Sequence, residues 1–297
     1  MPELFPTMRI CADALFDVAY AALAGTLLNR VWLGRHQGCD RQLGKCLIIC
    51  STILVLVLRL QFLLLSASMT GDISWTLACG ALPDVATTHS GHSAVVSFCL
   101  VASLLMFSLR RTRLGSMKYV SLGGILTVGF IASRAFHGHA ASDGDFTLRE
   151  GVQFLHLSAT ATWAGGVLVA GLITVPQLSA TADPESVLRF GKRLSGWVTI
   201  ALAVVIVSGI YNSWKGLDGT LSPVLTATWG RMLVFKLCFV FAALVHGIRV
   251  RLLFRSSCTW TPMHVSFMRR WMRSEAVFMA LILICSSWLA NTPPPNM

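Results

Sequence analysis

Residues 46–66, CLIICSTILVLVLRLQFLLLS, form an apolar stretch in which Arg59 is the one charged residue. An α-helix rises about 1.5 Å per residue, so about 20 such residues cross a hydrocarbon core roughly 30 Å thick. The rest of the chain is similar, because 55% of its 297 residues are hydrophobic and 12% are charged. Soluble domains carry roughly 25% charged residues. The sequence therefore predicts a helical membrane protein, and the lack of alternating strand patterns argues against a β-barrel.

We predict an all-α membrane protein, a bundle of about eight transmembrane helices that fills residues 1–297 as a single polytopic domain with no separate soluble domain. The expected spans are Ile10 to Asn29, Cys46 to Ser66, His89 to Leu109, Tyr119 to Phe136, Val152 to Val175, Leu194 to Trp214, Leu233 to Leu253 and Glu275 to Ala290. The segment before the first span lacks a basic region, so we interpret that span as a retained helix rather than a cleaved signal.

The distribution of charge predicts the orientation of these spans. The net charge of +11 by itself is compatible with a nucleic-acid partner. Most Lys and Arg residues, however, fall in the loops after the first, third, fifth and seventh spans. This is the positive-inside pattern of membrane proteins, which places both termini outside and makes membrane lipid, not nucleic acid, the surrounding partner.

Histidines collect on the predicted outer side. His89 and His92 open the third span on one helical face, His137 and His139 close the fourth, and His156 lies roughly 6 Å inside the fifth. A single histidine at a helix end is more often an interfacial or capping residue. Five on one side favour a metal site, because imidazole is a common ligand for copper, zinc, iron and nickel.

Charged residues inside the spans are the next candidates. Asp17 lies within an apolar run one turn from Asp13, and we include Asp17 among the candidate metal ligands. Arg59 and Lys236 are also inside spans and are expected either to snorkel outward or to pair with one of these carboxylates. The acidic residues of the outer loops are either a solvated rim or a field that concentrates cations.

Small residues inside the spans are interpreted as packing residues. Cys46 and Cys50 lie one turn apart at the inner start of the second span. Their thiols suit Cu(I), but cysteine is an ordinary filler of helix interfaces. The pairs Gly123-Gly124 and Gly165-Gly166 predict close approach of helices.

Five short motifs follow one another along the chain. They are TTHSG at residues 87–91, GHAA at 138–141, His156-Leu157 with WAGG at 163–166, TATWGR at 226–231 with Lys236, and RSEA at 273–276. Their order resembles that of the bacterial copper-resistance protein D (CopD) family of inner-membrane proteins. Trp229 stands where the family usually has Tyr, and the fragments gain specificity from occurring together on the expected spans.

The resemblance implies a non-enzymatic protein of the bacterial cytoplasmic (inner) membrane that moves copper across it, usually described as uptake, with both termini in the periplasm. It also implies a periplasmic copper-binding partner of the CopC type. His89, His139 and His156 match the family motifs and are the first candidate ligands, whereas His92 and His137 rest on proximity alone. Nitrogen ligands suit both Cu(I) and Cu(II), so the oxidation state stays open.

Two other functions compete with transport. A b-type haem could be held by His89 or His92 together with His156, which would make the chain an electron-transfer protein. Alternatively, the chain could be a docking receptor for a periplasmic copper carrier, with no ion crossing. An enzyme is disfavoured, because no nucleophile and base occur at helical spacing and no phosphate loop or intramembrane metalloprotease motif is present.

Overall fold

The computed structural model describes residues 4–34, 38–70, 75–110, 117–135, 147–181, 184–217, 223–256 and 261–293. In these ranges the chain is helical and contains no strand. The long helices are α1 (Leu4–Leu33), α2 (Asp40–Thr70), α3 (His89–Arg110), α4 (Met117–Ala135), α5 (continuous from Leu148–Thr160 to Val175–Thr181), α6 (Pro184–Gly216), α7 (Thr228–Ser256) and α8 (Pro262–Ala290). Short helices at Trp75–Gly80, Leu82–Ala86 and Pro223–Thr226 lie between them.

Each expected span coincides with one long helix, apart from Phe136, which lies outside the described residues. Seven helices within the described ranges are long and apolar enough to cross a membrane, which makes this a multi-pass membrane protein. The helix α4 is not among the seven, since Lys118 and Arg134 lower the mean hydropathy of its 19 residues. The all-α class is therefore confirmed, while the count of eight spans and the periplasmic termini stay predictions.

Contacts between helices show that consecutive long helices run in opposite directions. At one end of the bundle, Gln61 of α2 and Asn291 after α8 both bond Asp13, near the start of α1. At the same end, Asn212 near the end of α6 donates to Gln153 near the start of α5. We call this end, at which α1, α3, α5 and α7 begin, the outer end, because the positive-inside pattern assigns it to the outside.

The helices α1 and α5 form the centre of the bundle and cross at two glycines. A Cβ added to Gly165 would lie 2.0 Å from the carbonyl oxygen of Ala21, and one added to Gly25 would lie 2.0 Å from that of Gly165. The expectation for Gly165 is thus confirmed. Gly124 has nothing within 4 Å of such a Cβ, so close approach does not explain that glycine.

The central helix α5 is irregular where it meets its neighbours. Two π-helical segments, Ala161–Gly165 and Ala170–Thr174, interrupt it. Buried Asn29 of α1 donates to the carbonyl of Gly166 over 3.0 Å, and its own oxygen accepts from the Thr174 hydroxyl over 2.9 Å. The side chain of Asn29 therefore ties α1 to the irregular part of α5 and has its own polar atoms paired, as burial in a membrane requires.

Candidate metal site at the outer end of the bundle

The carboxylate of Asp13 joins three helices at the outer end. Gln61 Nε2 of α2 donates to Asp13 Oδ1 over 2.6 Å, and Asn291 Nδ2, at the C-cap of α8, donates to Oδ2 over 2.6 Å. Both oxygens of Asp13 therefore accept a short hydrogen bond from an amide. The remaining oxygen of Gln61, Oε1, is buried and has no hydrogen-bond partner among the described residues. The main role of Asp13 is thus to hold α1, α2 and α8 together.

Asp17 lies one turn further along α1 and is half-buried. Its Oδ2 accepts a hydrogen bond from Ser287 of α8 over 2.7 Å. Two cations, Arg134 of α4 and Lys236 of α7, interact with it electrostatically. Ionisable groups within a membrane normally face the protein interior and offset one another. Asp17 is therefore the carboxylate on which charges from several helices converge.

Aromatic rings of α1 and α4 lie next to these charges. The guanidinium of Arg134 lies 4.3 Å above the ring centre of Phe16, a cation–π geometry. The rings of Phe16 and Tyr20 both pack against Phe130 of α4, with centroids 5.8 and 5.9 Å away. The Tyr20 hydroxyl donates to the carbonyl of Leu157 over 2.7 Å. This bond fixes α1 against α5 at the residue that follows His156.

The position of His156 follows from how α5 begins. Thr147 Oγ1 accepts from the Glu150 amide and Glu150 accepts from the Thr147 amide, so a capping box starts the helix. The helix thus begins four residues before the expected span, at Leu148, and His156 lies about 12 Å along the helix from that residue. The imidazole is half-buried, and His156 interacts electrostatically with Lys236.

The hydrogen bonds of His156 bear on its tautomer. Its Nδ1 lies 2.9 Å from Ser208 Oγ of α6, and that oxygen is also within hydrogen-bond distance of the carbonyl of Val204. When Ser208 donates its one hydroxyl proton to this carbonyl, it accepts from an Nδ1–H group of His156. A neutral ring then has its lone pair on Nε2. A hydrogen bond that fixes one ring nitrogen in this way prepares the other to bind a metal.

His89 and His92 occupy the first turn of α3, and both side chains are exposed. Gly91 between them packs closely, since an added Cβ would lie 1.9 Å from the carbonyl oxygen of Val85. Ser93, one turn into α3, donates to the carbonyl of Ser133 over 2.6 Å. The start of α3 is thus fixed against its neighbours while the two imidazoles stay at the surface.

The structure brings some of the candidate ligands together and not others. Asp17 and His156 share Lys236 as an electrostatic neighbour. His137 and His139 lie outside the described residues. Within the described ranges, no three His, Cys, Asp or Glu side chains are grouped closely enough to hold a metal ion. The ligand set of His89, His139 and His156, helped by His92, His137 and Asp17, therefore stays a prediction.

Three polar residues of this region were not expected from sequence: Gln61, Ser287 and Asn291. Gln61 follows the apolar run VLVLRL, where a carboxamide needs a hydrogen-bonding partner. The sequence therefore indicates that Gln61 has a hydrogen-bonding partner but does not identify that partner. Ser287 and Asn291 lie one turn apart and receive their importance from Asp17 and Asp13, which are distant in sequence.

Comparison with known proteins places these features in context. The family model for copper resistance protein D matches residues 188–289. The model for the N-terminal domain of copper resistance protein D-like proteins matches residues 1–148. The two matched regions together cover most of the chain.

A curated relative adds a copper protein at lower similarity. The chain is 26% identical over 200 residues to "Copper transport protein CutJ" of Bacillus subtilis (strain 168), a match that covers 67% of this chain. The chain spans about a third of that protein, since the match covers 35% of it. No solved structure matches the chain.

Proposed function

The chain belongs to the copper resistance protein D family, and we propose that it takes copper from the periplasmic side and moves it across the bacterial inner membrane. Its role would be copper uptake, homeostasis and resistance. Copper is then the transported substrate, and the protein is a permease rather than an enzyme. The name of the Bacillus relative, a copper transport protein, supports this proposal.

The observation that carries the proposal is the hydrogen bond between His156 and Ser208. With Nδ1 of this half-buried histidine donating to Ser208, Nε2 would be available as a ligand atom, inside an apolar bundle where a polar group without a role is costly. We assign His156 to the outer copper site together with His89 and His139. His92, His137 and Asp17 would assist.

Electrostatics provide a reason for Asp17 to take part. A copper ion that approaches His156 also approaches the cation of Lys236, and two cations repel strongly where the dielectric constant is low. Asp17 interacts with the same lysine and offsets this repulsion. The carboxylate of Asp17 would therefore lower the cost of bringing copper to the histidines.

The exposed imidazoles of His89 and His92 suggest how copper arrives. Ligands at the surface can exchange an ion with another protein, whereas a half-buried ligand such as His156 cannot easily be reached. We propose that a periplasmic copper-binding protein of the CopC type delivers copper to the start of α3. The ion would then pass to His139 and His156.

Metal analysis and visible spectroscopy of the purified protein test the site. We expect stoichiometric copper and no intense Soret band, which a b-type haem protein would show. The double variant His139→Ala with His156→Ala should lose the outer copper. The control is His264→Ala, which removes an imidazole bonded to Thr261 at the opposite end. A double variant that retains the same number of copper ions per chain as the unaltered protein would refute this site.

A further inference from the structure

The inner half of the bundle contains two cysteines whose sulfur atoms nearly touch. Cys46 and Cys50 lie one turn apart on α2, and their Sγ atoms are 3.9 Å apart. Cys50 is buried and Cys46 is half-buried. The hydroxyl oxygen of Thr26, on α1, lies 3.3 Å from the Cys46 sulfur. The thiol pair therefore faces the interface between α1 and α2 rather than lipid.

The chemistry of this pair favours a soft cation. Thiolate ligands select Cu(I) over harder ions. The face of α2 that contains the pair is mostly apolar next to it, with Leu43, Leu47 and Leu54 buried, and Ser51 is a buried polar residue of the same face. Such surroundings disfavour a hydrated divalent ion and tolerate a complex that is neutral overall. Binding of one Cu(I) with loss of one thiol proton to solvent gives a neutral complex.

The separation of the sulfurs fits a shared ion. Metal–thiolate bonds are about 2.3 Å long, taking zinc as the guide, so two sulfurs bound to one ion lie at most about 4.6 Å apart. At the observed 3.9 Å, both sulfurs can bind one ion with a bent geometry. A small rotation of either side chain would widen the angle between the two sulfurs and the ion toward a linear geometry.

A third thiol continues the same direction. Cys39 is fully buried and precedes α2, seven residues before Cys46 and thus about 10 Å nearer the inner end. Its Sγ lies 3.9 Å from the carbonyl oxygen of Thr174 on α5. Soft ligands therefore occur at successive depths in the inner half of the bundle, with Cys46 beside α1 and Cys39 beside α5.

We propose that Cys46 and Cys50 bind one Cu(I) ion between α1 and α2, as an inner relay site. The relay role rests on the proposed transport function, but the binding itself does not. The site supplies a step on the inward route, which the distribution of histidines leaves unmarked. Cu(I) that leaves the imidazoles at the outer end would be held next by sulfur, without a change of oxidation state.

Anaerobic titration of the purified protein with Cu(I), against a chromophoric Cu(I) chelator, tests the pair. The double variant Cys46→Ser with Cys50→Ser should bind one Cu(I) fewer per chain and lose the ultraviolet thiolate-to-copper absorption. The double variant Cys99→Ser with Cys238→Ser, which alters two exposed cysteines, should match the unaltered protein. Equal stoichiometry and equal absorption in both double variants would overturn the proposal.

A second measurement needs no change at the cysteines. In the His139→Ala, His156→Ala protein loaded with one Cu(I), X-ray absorption at the copper edge should show sulfur neighbours. Nitrogen or oxygen neighbours alone would overturn the thiol site. Sulfur-bound copper without uptake into liposomes would refute transport and leave the site standing. If the Cys46→Ser, Cys50→Ser protein takes up copper and binds as much Cu(I) as the unaltered protein, the thiol site is refuted and transport stands.

Discussion

Replacing Asp13 by alanine should loosen the outer end of the bundle. The substitution removes the acceptor for two amide donors, Gln61 Nε2 and Asn291 Nδ2, each 2.6 Å from a carboxylate oxygen. The variant therefore removes the carboxylate acceptor of Gln61 Nε2 and leaves Asn291 Nδ2 with the carbonyl of Ser287, 2.9 Å away, at the junction of α1, α2 and α8.

The size of the effect follows from the two bonds. Interhelical hydrogen bonds between neutral groups in membrane proteins contribute about 0.6 kcal/mol on average and up to about 1.7 kcal/mol. An ionised acceptor roughly doubles this, so each bond to Asp13 contributes about 1 to 3 kcal/mol. Asp13→Ala should lower the free energy of unfolding by about 2 to 6 kcal/mol. Asp13→Asn keeps one acceptor and should lose about half as much.

Unfolding by denaturing detergent in mixed micelles, followed by circular dichroism, measures these differences. Asp84→Ala is the matched control, because it removes an exposed carboxylate at the same, outer end of the bundle. We expect the control to change the free energy of unfolding by less than about 0.5 kcal/mol. If Asp13→Ala lowers the free energy of unfolding no more than the control does, Asp13 does not hold the three helices together.

Two further substitutions have direct structural expectations. Gly165→Ala places a methyl group 2.0 Å from the Ala21 carbonyl oxygen and should destabilise the detergent-purified protein by about 1 to 3 kcal/mol or more. Gly124→Ala is the control, because there is open space around that glycine, and it should not destabilise the protein. Equal melting temperatures of the two variants would contradict the close crossing of α1 and α5. Ser208→Ala removes the acceptor of His156 and should weaken copper binding about 10- to 100-fold in a competition titration. Thr199→Ala, which removes an exposed hydroxyl of the same helix, should leave the affinity unchanged, and an equal affinity in both variants would refute the assigned tautomer.

Hydropathy located the membrane-immersed part of each helix but not the whole helix. The expected span from Leu194 lies in a helix that begins at Pro184, and the span from Glu275 lies in one that begins at Pro262. Both helices extend into polar sequence because proline suits the first helical turn and charged residues are good helix formers in water. A hydropathy average therefore detects only the apolar residues that contact lipid or the core, and not the polar turns at the ends of a helix.

The partners of the polar residues could not be predicted from one sequence. Asp13 and Asn291 are 278 positions apart, and Asp17 and Ser287 are 270 apart. Their pairing depends on α1 and α8 being neighbours, which no local pattern encodes. Lys236 interacts electrostatically with Asp17 of α1, and whether it snorkels outward or pairs with a carboxylate stays a prediction. Arg59 is instead exposed.

The irregular course of α5 also had no local signal. The segment Ala161–Gly165 is π-helical although its composition is typical of an α-helix. Its geometry depends on contacts with another helix, since Gly165 meets the backbone of Ala21. Sequence reasoning predicted close approach at this glycine and could not predict the additional change in helical winding.

Copper accumulation in proteoliposomes tests the central claim most directly. Vesicles that contain the purified protein alone, with the outer end exposed, should accumulate copper above protein-free vesicles when copper is supplied outside. Accumulation should fall to the protein-free level in the His139→Ala, His156→Ala variant and should persist in His264→Ala. If the unaltered protein binds copper yet gives no accumulation, or if the double variant accumulates copper at the unaltered rate, copper transport through this outer site is contradicted.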